Sequence, residues 1–190
     1  VDCEIIHHDK SEHKEKIAAE NNQETWGNLS SLLKCFEVAK KDQSDLIYFV
    51  EDDYLHYEHS LVDMLNTYER VSSQHKDEII VCPSDYPFNY MNNEKTNILI
   101  GSQQHWRTIT KMLCTFMISK KMFQKHINNF EKTCEKRHDP FEKYLNEILQ
   151  KEIAISPIKS LAIHLTNVNS SYGLSPFIDY KKLWDANKVK

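Results

Sequence analysis

The chain has 190 residues, enough for one sizeable core. Hydrophobic residues make up 40% and charged residues 27%, an ordinary globular balance, and a net charge of -4 excludes the basic footprint of a nucleic-acid binder. No apolar run approaches the ~20 residues of a membrane-spanning helix, and no signal peptide is visible at the start. The five cysteines (Cys3, Cys35, Cys82, Cys114 and Cys134) are scattered, odd in number and free of any CxxC pair. That pattern reads as free thiols in a cytoplasmic, reducing compartment, at most peripheral to a membrane, and not as a zinc site. With only Gly27, Gly101 and Gly173, a phosphate-cradling glycine loop is excluded.

In chain order, Val1 to His8 reads as a short strand, followed by a charged loop or loosely held helix from Lys10 to Gln23. Asn28 is placed to cap a helix whose stripe is Leu29, Leu32, Leu33, Phe36 and Ala39. Leu46 to Val50 is apolar at successive positions, the pattern of a strand buried on both faces in a parallel sheet. It ends in three carboxylates, Glu51, Asp52 and Asp53. Extended backbone would turn Glu51 and Asp53 one way and Asp52 the other. Two such carboxylates a few ångströms apart repel by roughly 4 kcal/mol at an effective dielectric near 20. A hard divalent cation, Mn²⁺ or Mg²⁺, is the usual compensation. A solvated acidic turn is the plainer alternative.

Ser60 caps the next helix, with Asp63 as its capping-box partner and Leu61, Met64, Leu65 and Tyr68 as its stripe. Glu78 to Cys82 is a strand ended by Pro83. Asp85 to Thr96 is a long loop, Asn97 to Ile100 an edge strand, and Trp106 and Arg107 sit in a polar loop after Gly101. Met112 to Ser119 is a strand, and Ser119 caps a helix burying Met122, Phe123, Ile127 and Phe130. Asp139-Pro140-Phe141-Glu142 gives a cap, a first-turn proline and a third-position glutamate, so a helix starts there. Leu161 to Leu165 is a strand carrying His164. The tail, 167–190, is loop-rich, with Tyr172, Phe177 and Trp184 as anchors. Strands alternating with helices give an α/β domain with a mainly parallel central sheet, and the whole of 1–190 reads as one domain.

The order helix, apolar strand, Glu-Asp-Asp-Tyr, helix resembles the nucleotide-sugar glycosyltransferases of the GT-A fold, in family-2-like versions. Glu51-Asp52-Asp53 corresponds to that family's acidic DXD signature. Cys114 to Lys121 is similar to the later strand that leads into a helix behind the donor sugar. His138-Asp139-Pro140-Phe141 lies where the family places its catalytic base, and Ala162-Ile163-His164-Leu165 resembles the late strand whose histidine joins the metal. Val1 to Asp9 resembles the family's second strand, so the base-binding first strand is expected to be missing from an N-terminally truncated domain.

The resemblance implies a metal-dependent, inverting transfer of a sugar from a nucleoside-diphosphate donor to a hydroxyl of a carbohydrate or lipid-linked acceptor. It implies Mn²⁺ or Mg²⁺ on Asp53 and His164, with Glu51, Asp52, Arg107 and Thr115 on the donor. An acceptor hydroxyl must lose a proton as it attacks, which asks for a carboxylate base. Asp139 is the candidate, with Asp85 behind it. Aromatic faces stack on sugars, which brings in Trp106 and Tyr54 on the acceptor side. Each has a structural alternative: a helix cap for Asp139, a core histidine for His164, a loop anchor for Trp106. His7-His8 and His56-x-x-His59 lack cysteine partners and are read as non-ligands. Two other functions fit less well: another Mg²⁺-dependent α/β enzyme, such as a nucleotidyltransferase or phosphohydrolase, and a non-catalytic carbohydrate-binding fragment.

Overall fold

The computed structural model describes residues 4–17, 23–91, 93–169, 173–176 and 178–188. Among them it has eight strands and six α-helices. The strands are β1 (Leu46–Phe49), β2 (Tyr54–His56), β3 (Ile79–Val81), β4 (Ile98–Ile100), β5 (His105–Thr108), β6 (Phe116–Ser119), β7 (Ile153–Pro157) and β8 (Ala162–His164). The helices are α1 (Gln23–Lys41), α2 (Ser60–His75), α3 (Lys120–Lys125), α4 (Ile127–Thr133), α5 (Lys143–Leu149) and α6 (Tyr180–Asn187). Six strands form one sheet in the order β1-β6-β3-β7-β5-β4, and β2 pairs with β8 in a separate two-stranded sheet.

The α/β class is as expected, but the sheet is mixed, not mainly parallel. Only β3 and β7 pair in parallel, while the other four pairings are antiparallel. β1, β3, β7 and β4 run one way, and β6 and β5 are threaded between them in the opposite sense. Burial explains the misreading. β3 and β6 are buried at every position, and a doubly covered strand looks alike whichever way its neighbours run.

Helices cover both faces. On one, Leu33, Phe36, Phe49, Ile80, Phe116, Ile118, Phe123, Phe130, Leu145 and Ile148 pack beneath α1 and α3 to α5. On the other, Met64 and Val71 of α2 meet Ile79, Val81, Trp106, Met117 and Ile155. The alternation along β3, with Ile80 to one core and Ile79 and Val81 to the other, is the two-residue period of a strand between two layers.

Several expected elements shift. β1 is an edge strand, so Leu46 to Tyr48 are only half-buried and Val50 lies exposed beyond its end. No strand forms between residues 4 and 9; Asp9 instead caps a short 3-10 turn, Lys10–His13, accepting from the Ser11 N–H. Residues 1–3 lie outside the described residues. α1 starts five residues before Asn28, which is therefore inside the helix. His59, not Ser60, is the N-cap position of α2, and the Ser60 hydroxyl donates to the Leu161 carbonyl at 2.5 Å. Leu61 and Leu65 face solvent, whereas Asp63 and Thr67 are buried. These two polar side chains accept from the Gln103 and Ser102 N–H groups in the β4–β5 turn, so a face that reads as polar is a docking face. Trp106 and Arg107 lie in β5, not in a loop. β7, in the interior of the sheet, has no counterpart among the expected elements. The strand expected from Met112 shrinks to β6, although Ser119 caps α3 as expected, accepting from the Met122 N–H at 3.1 Å. The tail carries α6, capped by Asp179. Tyr172 and Phe177 lie outside the described residues. No helix of the described residues is long and apolar enough to cross a membrane.

Candidate functional site

Glu51, Asp52 and Asp53 leave β1 and enter a turn, not extended strand, before β2 begins. The Glu51 N–H donates to the Thr115 hydroxyl at 3.0 Å, which fixes the start of that turn against the segment before β6. The three carboxylates line one wall of a cleft of roughly 560 Å³, with Asn28, Ser31, Leu32 and Cys35 of α1 and with Cys114 and Phe141. Among the described residues, no lysine or arginine lines it. Burial pushes the Glu51 carboxyl up to about 7, and the charges of Asp53 and Glu142 add to the rise. The Thr115 hydroxyl opposes them.

β2 and β8 then bring the ends of the chain together. Their register sets Tyr54 opposite His164, and the Leu165 N–H donates to the Asp53 carbonyl at 2.9 Å. His164 Nε2 lies 2.7 Å from Asp53 Oδ2. Its Nδ1 is 2.9 Å from the Thr166 hydroxyl. The Asp53 carboxylate only accepts, so the proton between them sits on Nε2 and the Thr166 hydroxyl donates to Nδ1. In the other tautomer Nδ1–H would donate to the Thr166 hydroxyl, leaving the Nε2 lone pair free to coordinate a cation. The Tyr54 ring stacks on the imidazole, centroids 4.8 Å apart, and the Tyr54 hydroxyl is held by that of Tyr86 at 2.7 Å. Tyr54 therefore orients His164 from within the core. It is too buried to meet an acceptor.

Two more assignments change. Trp106 is fully buried, its indole packed against Gly101, and offers no face to a sugar. Arg107 is buried beside the equally buried Asp85, to which its Nη2 donates at 2.5 Å, and its guanidinium lies 4.1 Å from the centre of the Tyr90 ring. Asp85 also accepts from the Tyr90 hydroxyl at 2.8 Å and the Ser175 hydroxyl at 2.6 Å. Both charges are spent on each other, so neither Arg107 as a phosphate ligand nor Asp85 as a base is available.

Asp139 is exposed and does not cap α5, whose N-cap position is Glu142. The charge of Glu142 is felt at Glu51, where it adds to the rise. Burial raises the pKa of Glu142 itself, opposed by a hydrogen bond from its own backbone. The sequence displays Glu142 openly, but as the third residue of a capping box, a structural setting.

No protein-family model matches the chain, and no curated protein matches it.

Among the described residues, no group of three or more His, Cys, Asp and Glu side chains is placed to hold a metal ion. Two donors converge, Asp53 and His164. A small hard cation is commonly held through one or two protein ligands, with substrate phosphates and water completing its shell. The pair fits such a partial shell and does not fit a closed structural site.

Proposed function

We propose that this chain is a glycosyltransferase of GT-A type, in which Asp53 and His164 hold Mn²⁺ or Mg²⁺ against the diphosphate of a nucleotide-sugar donor. The observation that carries the reading is the 2.7 Å approach of Asp53 and His164, made by the β2–β8 pairing, with Asp53 lining a cleft that holds three carboxylates and, among the described residues, no basic side chain. A diphosphate entering that cleft needs counter-charge, and none of the described lining side chains supplies it. The helices on both faces of the sheet and the small second sheet beside the acidic turn support a GT-A-like reading, while the mixed strand order departs from a mainly parallel sheet.

The bound cation would neutralise charge on the departing diphosphate. The protein's own groups do the rest. Thr115 holds the acidic turn, Tyr54 and Thr166 orient the imidazole, and Asp52 is exposed for contact with the donor. Glu142 takes the proton from the acceptor hydroxyl in place of Asp139, because a half-buried carboxylate beside another carboxylate is the better base.

Titration calorimetry with Mn²⁺ and a uridine or guanosine diphosphate tests the metal pair. Asp53→Asn and His164→Ala should each weaken Mn²⁺ binding by about 10-fold or more. An affinity unchanged in Asp53→Asn overturns the reading. Once a donor sugar is found, Glu142→Gln should lower turnover by about 10²-fold or more while Asp139→Asn leaves it nearly intact. The reverse ranking returns the base to Asp139.

A further inference from the structure

With Tyr54 and Trp106 buried, any acceptor sugar needs another aromatic surface. One stands immediately beyond the metal pair. The segment Leu165–Asn169, which follows His164, and helix α6 enclose a cavity of roughly 460 Å³. Tyr180 and Trp184 line it from α6. Four residues apart, they share one face of the helix, and Leu183, next to that face, is the residue of α6 buried against the domain. Trp184 stays 47% exposed although it lines a concavity. A tryptophan that only fastened its helix would be covered, as Trp106 is.

Around the two rings are an amide, a carboxylate and an amine: Asn169, Asp185 and Lys181. Asp185 is steadied by Lys188 at 2.6 Å. A flat apolar ring face rimmed by groups that donate to and accept from hydroxyls is complementary to a pyranose, which has C–H groups on its faces and hydroxyls on its edge. The volume is that of a small-ligand pocket.

Position adds to chemistry. The acidic cleft includes Asp53, and the aromatic cavity includes Leu165, whose N–H is bonded to the Asp53 carbonyl. The aromatic cavity thus begins one residue after His164, on backbone bonded to Asp53, next to the proposed donor cleft.

We propose that Tyr180, Trp184 and the polar groups around them form the acceptor subsite, and that the acceptor is a carbohydrate whose terminal pyranose stacks on Trp184. The assignment as an acceptor site rests on the glycosyltransferase reading above; the sugar-binding claim stands apart from it.

The test uses the full chain without metal or nucleotide. Cellotriose, chitotriose and maltotriose are titrated to roughly 10 mM, with saturation-transfer NMR and calorimetry as readouts, since single-ring contacts give millimolar affinities. At least one trisaccharide should bind, Trp184→Ala should weaken it at least 10-fold, and Trp184→Phe should keep most of the affinity. Circular dichroism and the thermal midpoint should be those of the wild type, Trp184 being on the surface. No binding of any trisaccharide, or binding that Trp184→Ala leaves unchanged, overturns the proposal. Trisaccharide binding at Trp184 in a protein that ignores Mn²⁺ and nucleoside diphosphates would uphold the sugar site and sink the transferase reading. Metal and nucleotide binding without any trisaccharide would do the opposite.

Discussion

Burial acts to raise the Glu37 carboxyl, yet hydrogen bonds from Lys16 and His13 outweigh it and draw the group down to about 2. The folded state therefore binds fewer protons than the unfolded chain between about pH 2 and pH 4.5, and stability rises with pH through that window. The contribution is complete above it and lost as pH falls towards 2. Glu37→Gln should lower the urea midpoint at about pH 6 and converge with the wild type near pH 2. An equal gap at both pH values would show that the carboxylate charge is irrelevant there. Glu51 is the opposite case. The charges acting on it come from carboxylates, so burial is reinforced, and the group is held at about 7.

At the scale of elements, the β4–β5 hairpin depends on a missing side chain. A Cβ on Gly101 would come within 2.2 Å of the Trp106 indole and 2.9 Å of the Thr67 hydroxyl. Gly101→Ala should cost about 1–3 kcal/mol through overpacking, measured by urea denaturation. A neutral substitution would mean that the indole swings away freely. At α3, Ser119→Ala removes the hydroxyl that accepts from Met122 and should cost about 1 kcal/mol. Helix caps such as Ser119 are local, involving side chains a few residues apart, and so they are readable from sequence. Asp139 misled because α5 starts later, after Glu142, whose side chain makes no capping hydrogen bond.

Across the whole molecule, the buried Asp85–Arg107 pair ties together the segment after β3, strand β5 and, through Ser175, the tail. Arg107→Met would strand a carboxylate in the core and should destabilise by about 3–5 kcal/mol. Adding Asp85→Asn should recover part of that loss, since the double variant no longer buries a lone charge. A double variant worse than Arg107→Met alone would show that Asp85 earns its place through Tyr90 and Ser175, not through Arg107.

The α/β class, the acidic turn after a strand, the Ser119 cap and the candidacy of His164 on a late strand all follow from local signals: apolar runs, caps and breaks in pattern. The sequence could nominate Asp53 and His164 separately. Only the pairing of β2 with β8 brings them to 2.7 Å, because strand pairing joins residues that no local period connects. The direction of the sheet was likewise hidden, since buried strands carry no mark of their neighbours' sense. Trp106, Arg107 and Tyr54 have the residue types of a sugar site but are spent inside the fold, while Trp184, read as a tail anchor, is left open. Residue type announces what chemistry a side chain can do. Tertiary packing decides which of those side chains still face solvent to do it.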